Sequence, residues 1–277
     1  MASSSHTPSE LSPPPGVPLA PAPWVLKTKL YLFTTIIKPT NRDDPVLQGL
    51  PPGSYVPGET VHPSALAPID GAPQWKGGMM SVVLVRYEES PVGPYDELIF
   101  VSVADGFRNP YEKGTSGRIT NIYVSSRGSV WNGRRNWNIP KHLARFEFTP
   151  TGSKSSTIKV FLPDAEKPFF AATVTDSYIP GIPIPARLLN PLMRIVQPPL
   201  LAGSPQDIQI ETTDDWVSIT PAYHGSWRIA YIRQAEPDLE LYGDGLQFPR
   251  IKPFWIGAKF TGTIHFPEGV KVKKKTE

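Results

Sequence analysis

Apolar residues recur with the short alternating period of β-strands along most of this chain. Trp24–Phe33, Met79–Tyr87, Tyr95–Val103 and Arg118–Val124 are rich in β-branched and aromatic residues and are bounded by turn formers. Leu143–Phe148 alternates apolar and polar positions, as a half-buried strand does. Thr157–Leu162, Phe169–Val174, Ile208–Ile210, Trp216–Thr220, Ser226–Ile232 and Ala258–Ile264 continue the series. Helical periodicity is scarce. Ser126–Gly133 fits one short helix, and Ala186–Val196 fits a second, interrupted near Pro191. The pattern predicts a single, mainly β domain, a barrel or sandwich with a few short helices.

Proline content strengthens that reading. The chain has 34 prolines in 277 residues, about twice the usual share. Each removes a backbone donor and clashes inside a helix, so long helices are disfavoured. Residues 1–23 hold seven prolines and five serines and read as a disordered leader, with order expected to begin at Trp24. Residues 38–77 are dense in proline and glycine and predict a long connection packed over a surface. The domain itself is expected over 24–270, with 271–277 as a basic tail.

The formal charge of +3 comes from that tail. Removing its four lysines and one glutamate from the 28 basic and 25 acidic residues leaves a neutral body. A broad basic face for nucleic acid is therefore not expected. No run is long and apolar enough to span a membrane. The polar N-terminus lacks the apolar core of a secretory signal. The expectation is a soluble, cytoplasmic protein. With no cysteine there is no disulfide frame and no thiolate ligand or nucleophile. His6, His62, His142, His224 and His265 do not pair at H-x-x-x-H spacing, so no metal is expected. No G-x-S-x-G elbow, P-loop or dinucleotide fingerprint is present.

The chemistry concentrates in Asn132–His142. Lys141 follows Pro140 among apolar and aromatic neighbours, with Arg134 and Arg135 close in sequence. A lysine amine is a nucleophile only when deprotonated; burial and nearby positive charge both favour that form. Lys141 is therefore a candidate Schiff-base former acting on a carbonyl compound.

Three ordered segments carry a family resemblance. Gly93-Pro94-Tyr95-Asp96-Glu97 opens a strand, Ile122-Tyr123-Val124-Ser125-Ser126 follows, and then come Gly133-Arg134 and Trp137-Asn138-Ile139-Pro140-Lys141. Over Met79–Phe148 the chain resembles the acetoacetate decarboxylase-like superfamily. The resemblance implies a closed, cone-like β-barrel, usually in a homo-oligomer, whose interior lysine attacks a small-molecule keto acid without a cofactor. It assigns Lys141 as the nucleophile, Glu97 as the active-site carboxylate and Arg134 as the arginine that orients the lysine segment. Tyr95, Trp137 and His142 are candidate substrate-binding or supporting positions, and Ile139 is a wall position. The sequence also departs from the family pattern. His142 stands where the decarboxylases have a second lysine, and Arg135 stands where they commonly have glutamate, so Arg135 is a candidate source of positive charge. The second acidic position falls near Val82, and only Lys29 lies in the region of the arginine that holds the substrate carboxylate. Three readings follow: decarboxylation, Schiff-base aldol or dehydratase chemistry, or a non-catalytic barrel for an apolar small molecule.

Overall fold

The structure, a computed structural model, describes residues 12–40, 42–178, 182–183, 193–201, 215–235 and 241–272. Its long strands are β1 (Trp24–Ile37), β2 (Gly78–Glu89), β3 (Tyr95–Asn109), β4 (Glu112–Val124), β12 (Ala222–Gln234) and β13 (Ile256–Phe266). Shorter ones are β5 (Lys141–Leu143), β6 (Arg145–Gly152), β7 (Ser155–Phe161), β8 (Phe170–Asp176), β9 (Ile182–Pro183), β10 (Ile195–Gln197), β11 (Trp216–Ile219) and β14 (Val270–Val272). Two helices accompany them, α1 (Pro63–Leu66) and α2 (Arg127–Trp137). The mainly β expectation holds.

One sheet takes in all the described strands, in the order β14-β11-β10-β4-β3-β2-β1-β13-β12-β8-β7-β6, with β5 beside β4 and β9 beside β12. This path is open, which corrects the expectation of a closed barrel. Its two ends resist further pairing: β6 is largely exposed and carries Pro150, and β14 carries Lys271. The sheet instead curls until both faces of its middle strands are covered. Val83, Val85, Ile122 and Val124 join one apolar cluster, while Val82, Leu84, Phe100 and Tyr123 join another with Phe33 and Phe170. Burial on both faces is why β2 reads as a nearly continuous apolar run.

The helix expected at Ser126–Gly133 runs on to Trp137. Ser126 caps it, its hydroxyl accepting from the Ser129 N–H, and Asn138 ends it in the left-handed conformation at φ 54°. Pro140 then prevents helical continuation, and the chain drops into β5 alongside β4.

Several expectations shift. Within the expected leader, the described segment around Val17–Ala20 packs on α2. Val17 and Ala20 are buried, the Ala20 N–H donates to Asn132 Oδ1 at 2.8 Å, and Asn132 Nδ2 donates to the Pro18 carbonyl at 2.9 Å. The expected helix at 186–196 ends differently, because Ile195–Gln197 is strand β10, paired with β11. Residues 186–192, the expected strand 208–210 and residues 1–11 lie outside the described residues, as do 273–277 of the tail; Lys271 and Val272 belong to β14. Among its described residues the 38–77 connection contains helix α1 and no strand.

Candidate active site

Strand register brings the lysine to the carboxylate. On β4, Ile122 and Val124 are two residues apart and so share a face. Lys141 of β5 lies opposite Ile122, and Glu97 of β3 lies opposite Val124. Both side chains therefore project to the same side of the sheet. Lys141 Nζ donates to Glu97 Oε2 at 2.7 Å and to Ser129 Oγ of α2 at 3.0 Å. Lys141 is 4% exposed and Glu97 3%. The pair stands at the wall of a cavity of about 100 Å³, lined by Trp24, Leu30, Val85, Ile99, Trp137 and Ile139 among others. Lys141 and Glu97 are the only charged residues among the described lining.

Tyrosines complete the polar end. Tyr87 lies opposite Tyr95 in register, with ring centroids 4.5 Å apart, and its hydroxyl donates to Glu97 Oε1 at 3.1 Å. The Lys141 amine lies 5.3 Å from the centroid of the Tyr95 ring. Burial first, and then the Glu97 charge, push the Tyr87 and Tyr95 phenols well above their usual range. Both remain neutral hydrogen-bonding groups at any working pH.

The remaining sequence candidates divide. Trp137 and Ile139 line the cavity; the Trp137 indole N–H donates to the Pro267 carbonyl, and its ring packs edge-on against Trp24 and Phe266. Arg134 and His142 do not reach the amine. Alternation along β5 turns His142 to the opposite face from Lys141, where its Nε2 meets Glu59 Oε2 at 2.7 Å. Arg134 grips the same carboxylate with both terminal nitrogens, at 2.8 and 2.9 Å, and donates at 3.4 Å to the Lys141 backbone carbonyl. Its place is thus behind the lysine segment. Arg135 is exposed and stacks over Trp131, so it supplies no charge to the amine, contrary to expectation. A helix residue next to Arg134 is turned by about 100° from it, which is enough to take it to solvent. Lys29 is exposed on the outer face of β1 and pairs with Glu88. Val82 belongs to the other apolar cluster; the β2 residue that meets Glu97 is Tyr87.

The environment of Lys141 therefore differs from the one expected. A carboxylate, not a cluster of cations, faces its nitrogen. Moving one proton across the 2.7 Å contact converts ammonium and carboxylate into amine and carboxylic acid. Both forms of the pair are net neutral, so the exchange adds no net charge to the apolar chamber.

Glu59 carries no distinguishing mark in the sequence, yet both its oxygens are held in the structure. Burial drives its carboxyl up, but the hydrogen bonds and charges of His142 and Arg134 more than offset that and hold it at about 2. A carboxyl depressed from an ordinary 4.5 stabilises the fold above that unfolded-state value and loses the contribution as pH falls toward 2. The difference corresponds to about 3 kcal/mol at neutral pH. Chemical unfolding of Glu59→Gln is expected to show a much flatter loss of stability between pH 5 and pH 2 than the parent protein.

Gly133 makes room for the lysine. A Cβ at this position would lie 2.7 Å from Lys141 Cδ and 2.8 Å from Cε. Gly133→Ala is expected to displace the amine and lower turnover by roughly tenfold or more. Alanine favours the helix by about 1 kcal/mol, but displacing the amine from its buried Glu97 partner costs more, so the melting temperature should fall along with activity. Paired activity and melting measurements check this.

No family model matches the sequence, and no curated protein matches it. Solved structures do. An acetoacetate decarboxylase from Legionella pneumophila subsp. pneumophila str. Philadelphia 1 is similar over 92% of this chain and 89% of its own, at 12% identity and a TM-score of 0.57. This chain has the acetoacetate decarboxylase-like fold. The same fold is seen in the enduracididine biosynthesis enzyme MppR complexed with pyruvate, at 12% identity, a TM-score of 0.54 and 95% coverage of both chains. It is seen again in an acetoacetate decarboxylase-like enzyme from Sphingomonas wittichii RW1, at 12% identity, a TM-score of 0.50 and coverage of 92% and 95%. At such identity the likeness is one of fold, and the chemistry rests on the residues themselves. Besides Glu59, nothing in the sequence marks Ser129 or Tyr87 as partners of the Lys141–Glu97 pair. Only the register of β2 and the turn of α2 bring them in.

Proposed function

We propose that the chain is a cofactor-independent enzyme in which Lys141 forms a Schiff base with an apolar carbonyl compound, and that its reaction is decarboxylation of a β-keto acid. The observation that carries this reading is a buried lysine amine, 2.7 Å from a buried carboxylate, at the wall of an otherwise apolar cavity. With the pair in its amine and carboxylic acid form, Nζ attacks the ketone carbon. The oxygen takes protons from the nitrogen and from Glu97 and leaves as water. The iminium cation then stands beside the Glu97 carboxylate. The bond to the substrate carboxylate breaks, its electron pair moves to the iminium as carbon dioxide departs, and a neutral enamine remains. Protonation of the enamine carbon and hydrolysis release the ketone and restore the amine. The step that loses carbon dioxide turns an iminium–carboxylate zwitterion into neutral products, a change that an apolar medium favours.

Apolar walls support a substrate with a hydrocarbon or aromatic substituent. A second reading keeps the Schiff base and replaces decarboxylation by carbon–carbon condensation. It is supported by MppR, whose fold is similar and which has been seen with the condensation product of pyruvate and imidazole 4-carboxaldehyde. Incubation with a panel of aryl and alkyl β-keto acids separates the two. Enzyme-dependent carbon dioxide release with formation of the matching ketone supports decarboxylation. Aldehyde-dependent consumption of a ketone without carbon dioxide supports condensation. An apolar ketone that binds without turnover or covalent adduct would leave a binding protein.

A further inference from the structure

The chamber holds one polar group that the proposed reaction has not used. Tyr223 lines the Lys141 cavity from β12, where it lies opposite Ile264 of β13, and Ile264 in turn lies opposite Leu26 of β1. Its ring packs against those of Phe260 and Trp227, with centroids 5.5 and 6.0 Å away. Strands β2, β1 and β13 separate β12 from β3. In a flat sheet that span would be about 19 Å. The Glu97 charge nevertheless acts on the Tyr223 phenol, and the Tyr223 hydroxyl acts on that of Tyr87. The curl of the sheet therefore turns Tyr223 back across the chamber toward the Lys141–Glu97 pair. Burial first, and then the Glu97 charge, push the phenol up to about 12, so it keeps its proton at neutral pH.

Every other polar side chain on the described lining is engaged. Lys141 donates to Glu97 and Ser129, Tyr87 donates to Glu97, and Tyr95 is hydrogen-bonded to Ser129 and Tyr87. The indole N–H groups of Trp24 and Trp137 donate to the Ala20 and Pro267 carbonyls. Tyr223 Oη has no hydrogen-bond partner among the described residues, whereas a phenol in an apolar setting ordinarily finds one. A β-keto acid brings a carboxylate in addition to the ketone that Lys141 attacks. The one cation on the described lining is Lys141 itself, and Lys29 stands on the outer face of β1. We propose, and this rests on the Schiff-base reading, that the Tyr223 hydroxyl receives the substrate carboxylate as a hydrogen-bond donor and so selects apolar keto acids over the corresponding ketones. A neutral donor suits a group that must leave as neutral carbon dioxide. A fixed cation would hold the carboxylate more firmly in the bound substrate than in the transition state, where its charge is moving to the iminium.

Unreactive ligands test this apart from the covalent step. Phenylpropanoate keeps the carboxylate and apolar body of an aryl β-keto acid but has no ketone, and ethylbenzene has neither group. Calorimetric binding of both is compared in the parent protein and in Tyr223→Phe, which keeps the ring against Trp227 and Phe260 and removes only the hydroxyl. The dissociation constant for phenylpropanoate is expected to rise by roughly tenfold to a hundredfold in the variant, as befits a lost hydrogen bond to a charged group. Ethylbenzene binding is expected to be unchanged. In turnover, KM for an aryl β-keto acid is expected to rise by a similar factor with kcat little altered. A parent protein that does not bind phenylpropanoate, a variant that binds it as the parent does, or an equal loss of both ligands overturns the proposal. The expected binding pattern without borohydride trapping on Lys141 would overturn the Schiff base alone. Trapping together with unchanged phenylpropanoate binding would overturn the carboxylate site alone.

Discussion

Lys141→Met is expected to abolish turnover and borohydride trapping together. Removing the covalent nucleophile removes the route itself, and losses on the order of 10⁴ to 10⁶ are typical of such groups. Methionine matches the length of the lysine stem and keeps the apolar contacts near Gly133. It also leaves Glu97 buried without its partner, and breaking a buried pair costs about 3 to 5 kcal/mol unless the acid takes up a proton. Loss of activity alone would then be ambiguous between chemistry and folding. The double variant Lys141→Met, Glu97→Gln resolves this, because it removes both charges at once. Its melting temperature is expected to recover toward that of the parent while activity stays absent. Recovery of both would show that the lysine is structural.

Glu97→Gln has the second-largest expected effect. Glutamine keeps the shape and can still accept a hydrogen bond from Nζ, but it takes no proton from the amine and gives none to the departing water. Proton transfer by a positioned carboxyl contributes about 10² to 10⁴ in rate. The fall is expected in kcat, with KM for an apolar substrate little changed, because the cavity walls that bind it are untouched. Steady-state kinetics check the split. A change confined to KM would assign Glu97 to binding instead of proton transfer.

How much of this site was legible in the sequence follows from distance along the chain. Lys141, Pro140, Trp137 and Gly133 lie within one helix–turn–strand segment, so their order survives as a motif. Glu97 is 44 residues away from Lys141, but a strand opened by Gly93 and Pro94 marks its place. Tyr87 and Ser129 carry no such mark. Tyr87 meets Glu97 only because β2 and β3 pair in one register, and a strand tyrosine looks the same whether it faces core or site. Glu59 lies in the proline-rich connection, 75 residues from Arg134, and nothing local singles it out. The place of His142 is hidden for a related reason. The alternation that separates Lys141 from His142 belongs to β5, whose three residues are too few to show a period. The open edge of the sheet was equally hidden, because alternation reports a buried face and not whether the last strand finds a partner.

The proposed reaction requires that the Lys141 nitrogen bond covalently to a carbonyl carbon. Its most direct measurement is borohydride reduction during turnover with an aryl β-keto acid, followed by proteolysis and mass spectrometry of the peptide that contains residue 141. A reduced adduct on Lys141, of the mass of the ketone product or the keto acid, is expected, and none in Lys141→Met. An active protein with an unmodified Lys141, or an adduct on some other lysine that persists in Lys141→Met, would contradict it.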